Sequence, residues 1–139
     1  MTVDPIATLV VDYLSALQML SVEIDRAMKA LARNSLPAFL DSVARQESWC
    51  DEMSFLARGF QVRVESAAVP ATQVLDPLLA ARIRDAHLQL QRLNRCYAAL
   101  LTSASCSVKE LTALCRSCLE QFQFATTELP QQKSWTCEV

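Results

Sequence analysis

Cys115 and Cys118 form the one C-x-x-C pair in this 139-residue chain. That spacing suits a redox couple or half of a zinc site. In a thioredoxin-like site the pair opens a helix beside a strand, where the helix dipole lowers a thiol pKa. Here both positions fall deep inside a helical pattern and on its apolar stripe, so two small apolar residues packed in a seam are expected. Zinc would need two more ligands, and Cys96 and Cys106 are strung along the same helix, too far apart to close a tetrahedron. His87 is the single histidine, which excludes a two-histidine zinc motif. It flanks the stripe beside Ala86 and reads as a boundary residue. A serine triad would need that histidine and also the elbow glycines that the chain lacks. Asp51 and Glu52 are adjacent on a helix and point to different sides, so they cannot share acid and base work. No catalytic residue, no cofactor site and no metal site is expected.

Glycine occurs once, at Gly59. A glycine-rich phosphate loop or dinucleotide fingerprint needs several φ-permissive positions, and tight hairpins need them too. The net charge is −2, which gives no electrostatic footprint for nucleic acid. The third helical segment carries Arg82, Arg84, Arg92, Arg95, Lys109 and Arg116 against Asp76, Asp85, Glu110 and Glu120. The second segment, 36–65, has an acidic excess, so packing of complementary helices explains both. No aromatics interleave with the cations to stack bases, and no nucleic-acid partner is expected. With 52% apolar and 20% charged residues, the chain can bury a core. The start Met1-Thr2-Val3-Asp4-Pro5 lacks a basic leader region, which predicts a cytoplasmic protein with mostly reduced thiols. Apolar runs such as Leu9-Val10-Val11 are broken by Asp12, and no membrane span is expected.

The elements that carry these residues are helical. Asp4-Pro5 is a helix start, a capping carboxylate followed by Pro at the first helical position. Ile6, Val10, Tyr13, Leu17, Leu20, Ile24, Ala27 and Leu31 then recur at intervals of four and three, the seam of a coiled-coil-like helix. Asn34-Ser35-Leu36-Pro37 ends this helix and opens the next. The second stripe is Phe39, Val43, Gln46, Cys50, Met53, Ala57, Phe60 and Val64. Leu36, Leu40 and Leu56 widen it, as for a helix covered by two neighbours. Gly59 inside it costs about 1 kcal/mol relative to Ala, and a close helix crossing is the expected reason. Residues 66–77, with Pro70 and Pro77, form a linker. Asp76-Pro77 repeats the start signal for a third stripe, Leu79, Ile83, Ala86, Leu90, Leu93, Tyr97, Leu100, Ala104, Val108, Leu111, Cys115, Cys118 and Phe122. The hydroxyl-rich run 102–107 predicts a bend or a short break. The expected fold is all-α: an antiparallel helical hairpin plus a longer third helix, as one bundle domain over 1–125 with a flexible tail over 126–139. Trp135 in that tail is either a docking hook or an accident.

At 1.5 Å per residue the first two helices are each about 45 Å long and an unbroken third about 70 Å. The second half of the third, from about Val108, then overruns the hairpin while still carrying an apolar stripe. An uncovered stripe of this kind wants a partner. The residues expected to bind that partner are Val108, Leu111, Leu114, Cys118, Leu119 and Phe122.

The segment from Ala27 to Leu40, AMKALARNSLPAFL, resembles the first helix–turn of FlgN-like flagellar export chaperones, in which an Ala-Leu seam leads through a short polar turn into a Leu-rich second helix. Leu93-Asn94 through Ala99-Leu100-Leu101 is similar to the middle of the family's third helix, and the plan of two near-equal helices and a longer third covers roughly residues 6–124. The chain departs from the family pattern in having Asn34-Ser35 where an acidic residue is usual, and in lacking an aromatic-then-glycine ending. The resemblance implies a cytoplasmic secretion chaperone. Its partner would be a helical terminus of a hook–filament junction protein, or of a related type III exported protein, delivered to an export apparatus. Physically that is helix-in-groove recognition. The alternative is a homo-oligomeric helical scaffold that buries the same stripe in a homodimer, and a third reading is a redox- or metal-responsive protein using Cys115 and Cys118.

Overall fold

A computed structural model describes residues 4–67 and 75–128, with side chains to Gln123. It contains three helices: α1 (Pro5–Ala32), α2 (Leu36–Ala67) and α3 (Pro77–Glu128). No strand occurs among the described residues, and the all-α fold with a hairpin and a longer third helix is as expected. Both Asp-Pro starts form as predicted. The Asp4 carboxylate accepts from the Ile6 N–H at 3.0 Å, and Asp76 from the Leu78 N–H at 3.1 Å. The turn after α1 is a Schellman motif. Asn34 takes φ 54°, the Asn34 N–H donates to Leu31 O at 3.1 Å and the Ser35 N–H to Ala30 O at 2.9 Å. Asparagine tolerates this left-handed position better than most residues, and its use here satisfies the last carbonyls of α1.

The chain divides between Ala98 and Ala99 into two compact units. In the first unit α1 lies at the centre. It carries ten of the buried residues, among them Leu14, Leu17, Leu20 and Ile24, whereas α2 buries only Ser42 and Leu56 among its described positions. The helix covered by two neighbours is therefore α1 and not α2, and Leu36 and Leu40, expected to widen the α2 face, are exposed. Glu23 meets Ser42 and Arg45 near the turn while Leu9 faces Gly59 at the other end, so α1 and α2 run antiparallel. His87 reaches Tyr13 and Leu90 packs with Leu17, Leu20 and Ile24, so α3 runs in the same direction as α1. Met28, Trp49 and Met53 are partly buried and pack against this cluster.

Two stripes are shifted. On α2 the expected Phe39, Val43, Gln46, Met53, Phe60 and Val64 are at least half-buried, but Cys50 and Ala57 are exposed, and Ser42, Trp49 and Leu56 turn inward. At the two exposed positions the face moves back by one residue, which brings the larger Trp49 and Leu56 inward. On α3 the half-buried residue after Tyr97 is Leu101, not Leu100. Gly59 is not required by a close crossing: a Cβ there would meet the Leu9 methyl groups at 3.8 Å, ordinary van der Waals contact.

Helix α1 as a whole is long and apolar enough to cross a membrane by length and composition, although no span was expected. Asp12 is the one charged residue between Pro5 and Val22, too few to lower the average of that window. Its apolar face is the one packed on α2 and α3, with Val10, Leu14 and Leu17 buried.

Of the bend or short break expected at 102–107, the break is absent, for α3 is continuous. The hydroxyls there and beyond are absorbed within the helix: Ser107 Oγ donates to Ser103 O at 3.1 Å and Thr112 Oγ1 to Val108 O at 2.8 Å. This bonding to the preceding turn is a side-chain option that coexists with the helical ladder. The helix also continues past the expected limit at 125. Most of the linker, and the tail from 129 with Trp135 and Cys137, lie outside the described residues.

Candidate functional site

The second unit begins at Ala99, and within it every side chain from Ser105 to Gln123 is exposed. Leu101 and Ala104 are half-buried, and the apolar positions beyond them continue on the same side of the helix. At 100° per residue, Val108, Leu111, Leu114, Cys115, Cys118, Leu119 and Phe122 fall within a sector of about 140°. Ser107 is the polar residue inside that sector. Lys109, Glu110, Arg116 and Glu120 project from the opposite side, with Ala113 and Ser117 between them. The helix is therefore amphipathic along its exposed length, with charges held off the apolar side.

The structure brings all six expected residues onto this one face. Val108, Leu111, Leu114, Leu119 and Phe122 each expose 61 to 63% of their surface, and Cys118 is also exposed. A sector of about 140° is broader than the two-position seam of a two-stranded coiled coil. It has the width of a helix covered from two sides, as α1 is in the first unit.

Cys115 and Cys118 were expected as buried seam residues, and this is corrected: both are exposed, as are Cys50, Cys96 and Cys106. The stripe they occupy is real, but no other described residue of the second unit lies over it. Among the described residues no group of three or more His, Cys, Asp or Glu side chains is placed to hold a metal ion.

The first unit contains polar groups that sequence reasoning missed. Glu23 is buried to 1% exposure and Ser42 to 0%. Glu23 Oε1 receives Arg26 Nη1 at 2.7 Å, and Oε2 receives Arg45 Nε at 3.0 Å. The Ser42 hydroxyl lies 2.6 Å from the Glu23 main-chain oxygen and 3.2 Å from Oε2, and Gln46 Nε2 donates to it at 3.5 Å. A signal for this cluster exists in retrospect. Ala16, Leu20, Glu23, Ala27 and Ala30 form a second four–three series on α1 with one acid in it, and all five are buried. The arrangement ties the two arms of the hairpin together next to the turn. Every buried side-chain polar atom among the described residues has a partner, this cluster included.

Tyr13 and His87 form the other polar pair, with the phenol oxygen 3.3 Å from Nε2 and ring centroids 5.9 Å apart. Burial pushes the Tyr13 phenol above its ordinary 10.0, because the phenolate loses its hydration. His87 thus has a specific contact on α1, consistent with a residue at the edge of the core.

Comparison with known proteins adds no relative: no family model, no curated protein and no solved structure matches the chain.

Proposed function

We propose that this chain binds an amphipathic helix of a protein partner along α3, and that it serves as a cytoplasmic chaperone for an exported structural protein. The observation that carries the reading is the exposed apolar sector of Val108, Leu111, Leu114, Cys118, Leu119 and Phe122. Contiguous apolar surface rimmed by charges marks an interaction site, and a helical face of this width fits a partner helix contributing apolar residues at matching three- and four-residue spacing. The likeness of residues 27–40 and 93–101 to FlgN-like chaperones supplies the class of client: a helical terminus of a flagellar hook–filament junction protein or a related type III substrate. On this reading the chaperone covers that terminus until the export apparatus takes it, which prevents premature assembly.

The test is affinity capture of the tagged full chain from its native cytoplasm, run beside the Leu111→Asp variant. One exported structural protein recovered in near-equal amount with the parent chain, and lost with the variant, supports the proposal. Recovery of the bait alone at twice its own mass overturns it in favour of a homo-oligomeric scaffold that covers the same face with a second copy.

A further inference from the structure

An apolar cavity of about 230 Å³ opens in the first unit between the amino-terminal turns of α1 and the second half of α2. Its walls include Leu9 and Tyr13 from α1, Leu56, Ala57 and Phe60 from α2, and Ile83 from α3. Among the described residues no charged side chain lines it, and the one polar side chain in the wall is Tyr13, whose hydroxyl lies 3.3 Å from His87 Nε2. About half of the cavity is open to solvent. A charged ligand would lose hydration there without a counter-ion. An enclosed apolar cavity of about 150 Å³ accommodates benzene, so this half-open one of about 230 Å³ has room for at least one ring.

We propose that this cavity is a binding site for an uncharged, compact aromatic or branched aliphatic molecule, independent of the helix-binding face on α3. Leu9, Leu56, Phe60 and Ile83 supply apolar contact, and the Tyr13 ring supplies an aromatic wall. Ala57 is both exposed and part of the lining, which makes it the rim. A larger residue at 57 narrows the entrance without removing a core contact.

Indole is a suitable probe, being uncharged, bicyclic and soluble. Titrated into the full-length protein and followed by amide and methyl NMR, it should give saturable shifts confined to residues around Leu9, Tyr13, Phe60 and Ile83. Ala57→Phe should weaken binding by about tenfold or more, close to 1.4 kcal/mol. Ala57→Leu is the milder variant should Phe disturb the fold. Absence of saturable shifts overturns the proposal. Shifts centred on Val108–Leu119 overturn it equally, because they would show the probe adsorbing to the exposed helix face. Undiminished binding in a folded Ala57 variant also overturns it.

Discussion

The Ser42 hydroxyl donates to the main-chain oxygen of Glu23 at 2.6 Å, joining two helices through a serine with no exposed surface. Glu23 lies within the helical span, so its carbonyl already accepts the ladder bond of α1, and Ser42 uses the second lone pair. The same hydroxyl stands 3.2 Å from the carboxylate that Arg26 and Arg45 flank. Ser42→Ala removes the donor and leaves the buried carboxylate with two partners that are themselves about half exposed. A loss of about 1–3 kcal/mol is expected, read as a lower urea midpoint by circular dichroism. An unchanged midpoint would mean that Ser42 is placed by packing alone.

Leu17 and Leu111 are the same residue type in opposite settings, 0% and 61% exposed. Leu17→Ala should cost about 2–5 kcal/mol, a lost core contact plus the cavity left behind. Leu111→Ala should change stability by no more than about 0.5 kcal/mol. Equal losses in the two variants would place Leu111 in a core of its own.

Gly59 lies within α2 with room beside it. Gly59→Ala should raise stability by about 1 kcal/mol through helix propensity, because the new methyl group meets Leu9 at ordinary contact distance. Thermal unfolding measures it, and a lower midpoint would show that the two helices need a closer approach there.

Tyr13 makes the fold sensitive to alkali. Its folded pKa is raised above 10.0 by burial, so the folded state holds the proton more tightly than the unfolded chain. Its contribution is complete below pH 10 and is lost as pH rises from 10 through the folded value. Unfolding free energy measured from pH 9 to 12 should decline more steeply in the parent than in Tyr13→Phe. Parallel curves would count against a buried phenol.

Five thiols, Cys50, Cys96, Cys106, Cys115 and Cys118, are exposed. Under native conditions each should react with a thiol reagent without waiting for unfolding. Labelling followed by peptide mass analysis identifies them, and protection of Cys115 and Cys118 until denaturant is added would restore the buried-seam reading.

How much of this was legible varies with the kind of signal. Asp4-Pro5, Asp76-Pro77 and Asn34 are local signals, and all three terminate helices where they stand. The α1 stripe from Val10 to Ala27 was legible because one phase of it is apolar throughout. The α2 stripe was not, since the series through Cys50 and Ala57 and the series through Trp49 and Leu56 both alternate correctly. What decides between them is the neighbour: Glu23 needs Ser42 and Arg45, and only one phase turns Ser42 inward. The exposed six-residue face, Cys118 included, followed from comparing helix lengths. The buried seam expected for Cys115 and Cys118 rested on spacing, which alone cannot say whether a stripe is covered.

The continuous α3 has a thermodynamic consequence. From Ser105 to Gln123 its hydrogen bonds have no burial to reinforce them, and Thr102, Ser103, Ser105, Cys106 and Ser107 are modest helix formers. Opening of those turns should therefore be far less costly than opening of α1, and amide exchange should fall into two classes separated near Ala98. A melting curve of the free chain then sums two processes, and the later, cooperative one, whose midpoint Ser42 and Gly59 set, belongs to the first unit. Any helix that docks on Leu111 and Leu119 does more than cover them: part of its binding free energy goes into holding α3 wound. Partner affinity should for that reason respond to Ser→Ala changes at 103 and 105, which lie outside the apolar sector.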